Sequence, residues 1–110
     1  MAVYHDGFSC YEDLPYGDNL PPRHAIVYAG YETQDYEGSA LIVFLLAGEL
    51  WENNDSHCSC NGLENWGPER TTRDALLMRT GWPGLAEALD DLRVAVAAVR
   101  QKGQGQLLTG

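Results

Sequence analysis

Apolar and polar positions divide this chain into three stretches of different character. Residues 1–22 show neither a helical nor an alternating period. Tyr4, Tyr11 and Tyr16 lie among Asp6, Glu12, Asp13 and Asp18, and Pro15, Gly17, Pro21 and Pro22 punctuate the stretch. Such residues favour turns, so irregular structure is predicted, with a short strand near Val3-Tyr4. Residues 24–31 (His-Ala-Ile-Val-Tyr-Ala-Gly-Tyr) are rich in β-formers and predict a strand. The polar residues 32–38 predict a loop. Residues 39–47 (Ser-Ala-Leu-Ile-Val-Phe-Leu-Leu-Ala) are almost continuously apolar. Their length and β-branched content favour a strand buried on both faces. Gly48 then marks a tight turn into a returning strand at residues 49–52, a hairpin. Asn53-Asn54-Asp55 predicts a second turn, with residues 56–60 as a third piece of sheet.

The final stretch changes period. Asn61-Gly62 and Gly67-Pro68 end a loop. Thr71 or Thr72 caps a short helix over residues 73–80, with Asp74 three residues beyond Thr71. Pro83 suits the start of a second helix. Leu85, Ala88, Leu89, Leu92, Val96 and Val99 follow at helical spacing on one face, and Gly103 closes it. Strands first and helices last predict an α+β fold: a small antiparallel sheet of three to four strands with two C-terminal helices packed on one face. One domain over residues 1–103 is expected, followed by a flexible tail over residues 104–110.

Composition agrees with one small globular unit, at 110 residues, 45 % hydrophobic and 21 % charged. The opening residues lack the basic and apolar regions of a secretion signal, and no apolar run approaches the roughly 20 residues of a membrane span. A cytoplasmic location is expected. Three cysteines, Cys10, Cys58 and Cys60, do not suggest a disulfide framework.

Charge changes the picture more. Residues 1–69 hold twelve acids and one base, a net of −11, while residues 70–110 hold four acids and six bases, a net of +2, summing to −9. An acidic front repels nucleic acid, whose phosphates need clustered Lys and Arg, and attracts basic surfaces. Tyrosines supply large contact area at low entropic cost. The interleaved set Tyr11, Glu12, Asp13, Tyr16, Asp18, Asp35, Tyr36 and Glu37 is therefore the candidate surface for a basic protein partner. The alternative is a solvated acidic face over core tyrosines.

One segment carries possible site chemistry. His57, Cys58 and Cys60 put three candidate ligands within four residues, and zinc favours thiolate and imidazole. On an extended strand Cys58 and Cys60 share one face while His57 points to the other, so convergence needs a sharp turn and a fourth ligand. Cys10, His5 or His24 could supply it. The same residues could serve a thiol-dependent reaction, or the cysteines could simply be small core residues. No phosphate-binding glycine loop is present. The balance favours a binding protein over an enzyme.

The segments Tyr36-Glu37-Gly38-Ser39-Ala40, Gly48-Glu49-Leu50-Trp51-Glu52 and Ser56-His57-Cys58-Ser59-Cys60-Asn61-Gly62-Leu63-Glu64, with Trp66, Pro68-Glu69, Thr71 and Ala75-Leu76, resemble a family of small proteins of unassigned activity encoded by tailed bacteriophages. The likeness covers about residues 35–80. The chain departs in a shorter spacing from Glu64 to Trp66 and in Arg70, where an acid is usual. The resemblance implies a host-directed accessory role: occupation of a basic host surface, as a counter-defence inhibitor or nucleic-acid mimic. It implies no catalytic residue.

Overall fold

The apolar run beyond Ser39 becomes the middle strand of the molecule. The computed structural model describes residues 2–34, 37–57, 63 and 65–91. Its strands are β1 (Val3–Asp6), β2 (Ile26–Gln34), β3 (Glu37–Leu46), β4 (Glu49–His57) and β5 (Glu69–Thr71), followed by helix α1 (Arg73–Leu77) and a helix α2 over residues 85–91. They form one sheet in the order β1-β2-β3-β4-β5.

β3 alternates sides, as a strand must. Ala40, Ile42 and Phe44 face one hydrophobic cluster; Leu41 and Val43 face another. Leu41, Ile42 and Val43 have no exposed surface. Each buried aliphatic side chain of this size contributes roughly 1.5–3 kcal/mol. On one face Leu76, Leu85, Ala88 and Leu89 from the helices cover Val27, Tyr28, Leu41 and Val43. On the other, Phe8, Leu14 and Tyr16 from the irregular segment, with Trp66, cover Ile26, Ala29, Ile42 and Phe44. A bulge between Ile26 and Tyr28 lets the consecutive Val27 and Tyr28 both serve the helix side.

The α+β class and the helices on one face agree with the sequence-based expectation. The sheet differs in number and in sense. It has five strands, and β1 runs parallel to β2 while the other pairs are antiparallel. A parallel neighbour needs a long crossover. Residues 7–25 provide it with three 3-10 turns, Tyr11–Asp13, Gly17–Asn19 and Arg23–Ala25, in place of a helix. β5 is the fifth strand, three residues pairing with Leu50, Trp51 and Glu52.

Three local expectations also change. The polar residues 32–34 and 37–38 are strand ends rather than loop, because Gln34 pairs with Glu37 and Thr33 with Gly38. Asn53-Asn54-Asp55 is not a turn: β4 runs straight through it to His57, paired with Gly38 through Ile42. The buried side chains of Asn53 and Asp55 hold a neighbouring loop, which satisfies them without bending the chain. Helix α1 stops at Leu77, and its cap is Thr72, whose Oγ1 accepts from Ala75 N at 3.1 Å. The Gly48 hairpin stands as expected. Ala47 (φ 52°) and Gly48 (φ 78°) are both left-handed, the conformation a two-residue hairpin loop requires. Residues 92–103, expected to continue the second helix, and the expected tail over residues 104–110 lie outside the described residues. No helix among the described residues is long and apolar enough to cross a membrane.

Candidate binding site

At the end of the sheet where β2 and β3 meet, the helices no longer cover the surface. Asp6 closes β1, and Glu32, Thr33, Gln34, Glu37 and Ser39 come from the two strands; together they line a depression of about 330 Å³. Glu32 and Ser39 are register partners and share a face. Glu32 is half-buried and Glu37 exposed. His5 Nε2 lies 3.2 Å from Glu32 Oε1.

The electrostatics of the rest sharpen this. The described residues contain four arginines and no lysine. All four pair with the protein's own carboxylates: Arg23 with Glu12, Arg70 with Glu49, Arg73 with Asp90 and Arg79 with Glu52. Asp6 and Glu37 are not among those partners. Their charge is left to solvent or to whatever docks there.

Across the opposite face of the same end, Tyr31 from β2 and His57 from β4 meet over β3, hydroxyl to Nε2 at 2.5 Å. They can meet because residue 38 between them is glycine. A Cβ there would collide with both rings. Phe8 packs on Tyr31, ring centroids 5.3 Å apart. Tyr31 also lines a cavity of about 300 Å³ with Gly7, Phe8, Asp13, Pro15 and Leu63. Asp13 and Gly7 thus border one depression while Asp6 borders the other.

The candidate surface residues read from the sequence separate into five groups. Asp13 and Glu37 line the two depressions just described, though Asp13 also accepts from Ser9 N at 2.8 Å. Tyr11 and Glu12 are occupied within the chain. Arg23 pairs with Glu12 and lies 5.1 Å from the centre of the Tyr11 ring, and the Tyr11 hydroxyl donates to Pro21 O at 2.7 Å. Asp18 is exposed on the Gly17–Asn19 turn, and Asp35 and Tyr36 lie outside the described residues.

Tyr16 is a correction: it is a core residue, 5 % exposed, whose hydroxyl donates to Asp55 Oδ2 at 2.8 Å. The same carboxylate accepts from Asn65 N at 3.1 Å and from Ser56 N at 2.8 Å. Asn53 adds Gly67 N at 2.8 Å and Asn65 O at 3.2 Å. Burial, then the hydrogen bond to Asp55 and the nearby negative charge, push the Tyr16 hydroxyl well above the usual tyrosine range.

Of the ligand set His57, Cys58 and Cys60, only His57 is among the described residues. No group of three His, Cys, Asp or Glu side chains among the described residues is arranged to hold a metal ion. Cys10 is half-buried with a free thiol ahead of the first 3-10 turn, and His24 is exposed. Sequence reasoning missed Asp6 and Glu32 as site residues because they are far apart in the chain. Only the parallel pairing of β1 with β2 unites them. It missed Tyr31 with His57 because that contact spans three strands. Gly38 was the available signal, a glycine inside a strand where backbone or side chains approach closely.

Comparison with protein-family models, with curated proteins and with solved structures gives no match.

Proposed function

We propose that this protein binds the basic surface of another protein through the acidic end of its sheet. One observation carries the reading: every described arginine is neutralised within the chain, while Asp6, Glu32 and Glu37 are gathered on one uncovered stretch of β1, β2 and β3. A carboxylate cluster flanked by strand backbone complements Lys- and Arg-rich surfaces, and the net charge of −9 steers them in. Surfaces of that kind commonly bind nucleic acid, so occupation by this protein would exclude it. With the resemblance of residues 35–80 to small phage proteins, the expected setting is inhibition of a host nucleic-acid-binding protein, by mimicry, in counter-defence.

The test is capture of basic proteins by the full chain from host lysate, compared between about 0.1 M and about 1 M salt. Over that range the screening length falls from roughly 10 to 3 Å. Capture is expected at low salt only, competed by added DNA or RNA, and strongly reduced for the triple variant Asp6→Asn, Glu32→Gln, Glu37→Gln. Capture indifferent to salt, or unchanged in the triple variant, would exclude the reading.

A second reading has one observation in its favour. The Tyr31 hydroxyl bonds one ring nitrogen of His57, and an outer hydrogen bond of this kind is what orients a metal-ligating imidazole. In that reading His57, Cys58 and Cys60 hold zinc, or serve a thiol-dependent step. Elemental analysis decides: one zinc per chain, lost with stability in chelator, would favour it over a purely electrostatic binder.

A further inference from the structure

The two faces of the protein end differently beyond their hydrophobic clusters, and the face away from the helices ends in an open aromatic groove. Trp51 on β4 stacks nearly parallel on Phe44 of β3, at 6.4 Å and 8°. Trp66 stacks on Phe44 as well, at 5.8 Å and 17°. Both indoles are only half-buried. With Pro21 and Pro68 on the flanks and Leu46 39 % exposed, they line a groove of about 270 Å³ that is mostly apolar. Trp82, the third indole, is elsewhere, edge-on to Tyr28 under the helices.

The surroundings of the groove are not neutral. Asn19 lines it, and Asp18, in the same turn, is exposed. Arg70 is the register partner of Trp51, and Glu49 lies two residues before Trp51 on the same face of β4. Arg70 and Glu49 pair at 3.2 Å, the arginine mostly in solvent and the glutamate partly so. An exposed pair of that kind is weak and exchanges readily. The groove is therefore planar and aromatic, beside carboxylates that are free or weakly held, on a molecule of net charge −9. A guanidinium fits that combination better than an ammonium, because it is planar, weakly hydrated and stacks on aromatic faces. The chain already contains a copy of the arrangement, with Arg23 over the Tyr11 ring and paired to Glu12.

We propose that the Trp51–Trp66 groove takes an arginine side chain of the basic partner, stacked on indole and held by Asp18 or by Glu49 in exchange for Arg70. This rests on the reading that the partner is basic and gives it a residue-level specificity: arginine over lysine.

The test follows the three indole N–H signals of the full-length protein by NMR, assigned with single Trp→Phe variants, during titration with acetyl-Gly-Arg-Gly-Arg-Gly-amide. Saturable shifts are expected at Trp51 and Trp66 and none at Trp82. The lysine counterpart is expected to bind about fivefold more weakly or worse. Asp18→Asn, an exposed change with little risk to folding, is expected to weaken the arginine peptide about twofold. Equal response to both peptides would mean diffuse charge and overturn the proposal. So would a stronger response to a neutral proline-rich peptide, or indole shifts that depend on protein concentration without peptide. The acidic-end triple variant separates the two ideas. If it loses partner capture but keeps the indole response, both stand. Capture by the wild type with silent indoles rejects the groove alone. Absence of both rejects the two together.

Discussion

The two faces of the sheet are covered by different means. Under the helices, periodic apolar side chains do the work: Leu76, Leu85, Ala88 and Leu89 meet Val27, Leu41 and Val43. Over the other face lies an aperiodic crossover, and there buried polar groups hold the cover in place. Asp55 and Asn53 project from β4 and accept or donate to Tyr16, Asn65, Ser56 and Gly67. A helix satisfies its own backbone and needs only an apolar stripe. An irregular segment leaves N–H and C=O groups unmatched, so the strand beneath must supply partners. That is why β4 carries Asn53 and Asp55 at buried positions toward the crossover, beside the apolar residues 40–46 of β3.

The largest expected effect tests the periodic face. Leu41→Ala should cost roughly 2–5 kcal/mol, measured by urea unfolding, because the site is closed on all sides. Asp55→Ala should cost on the order of 2–3 kcal/mol by orphaning buried donors, and should expose Trp66 to solvent by its fluorescence while far-UV dichroism from the helices persists. An equal loss of both signals would mean that the two faces do not differ in the way described.

Tyr16→Phe removes one bond to the same carboxylate and should cost about 1 kcal/mol. It also sharpens the comparison in alkali. The Tyr16 and Tyr28 hydroxyls are both raised above the ordinary 10.0, by burial first. The neutral forms therefore stabilise the fold fully below pH 10.0, and this contribution is lost as pH rises through the higher folded values. Alkaline loss of stability should be smaller in Tyr16→Phe than in the wild type, with Tyr28 still contributing.

Thr72→Ala should cost about 1 kcal/mol through the α1 cap. The smallest effect is a slope in acid. Burial pushes Glu52 upward, but hydrogen bonds from Thr71 and Asn54 and the charge of Arg79 outweigh it, and its carboxyl lies below the ordinary 4.5. Its stabilisation is complete above pH 4.5 and disappears as pH falls through the lower folded value. Glu52→Gln should flatten that part of the stability curve.

What the chain determines by itself is what local pattern can express. Residues 39–47 are too apolar to face water on either side, so a strand buried twice follows. Ala47-Gly48 turns it, and the spacing of Leu85, Ala88 and Leu89 places a helix stripe on the core. The site is a different matter. Asn53-Asn54-Asp55 has the composition of a turn, and only the loop folded over β4 makes a straight strand the better arrangement, because those side chains find partners there. Tyr16 has the look of a contact residue until Asp55, distant in sequence, takes its hydroxyl. Asp6 joins Glu32 and Glu37 only because the crossover brings β1 back parallel to β2. Local propensity fixes periods and turns; long-range hydrogen bonding and strand pairing decide which polar side chains are buried and which are left to meet a partner.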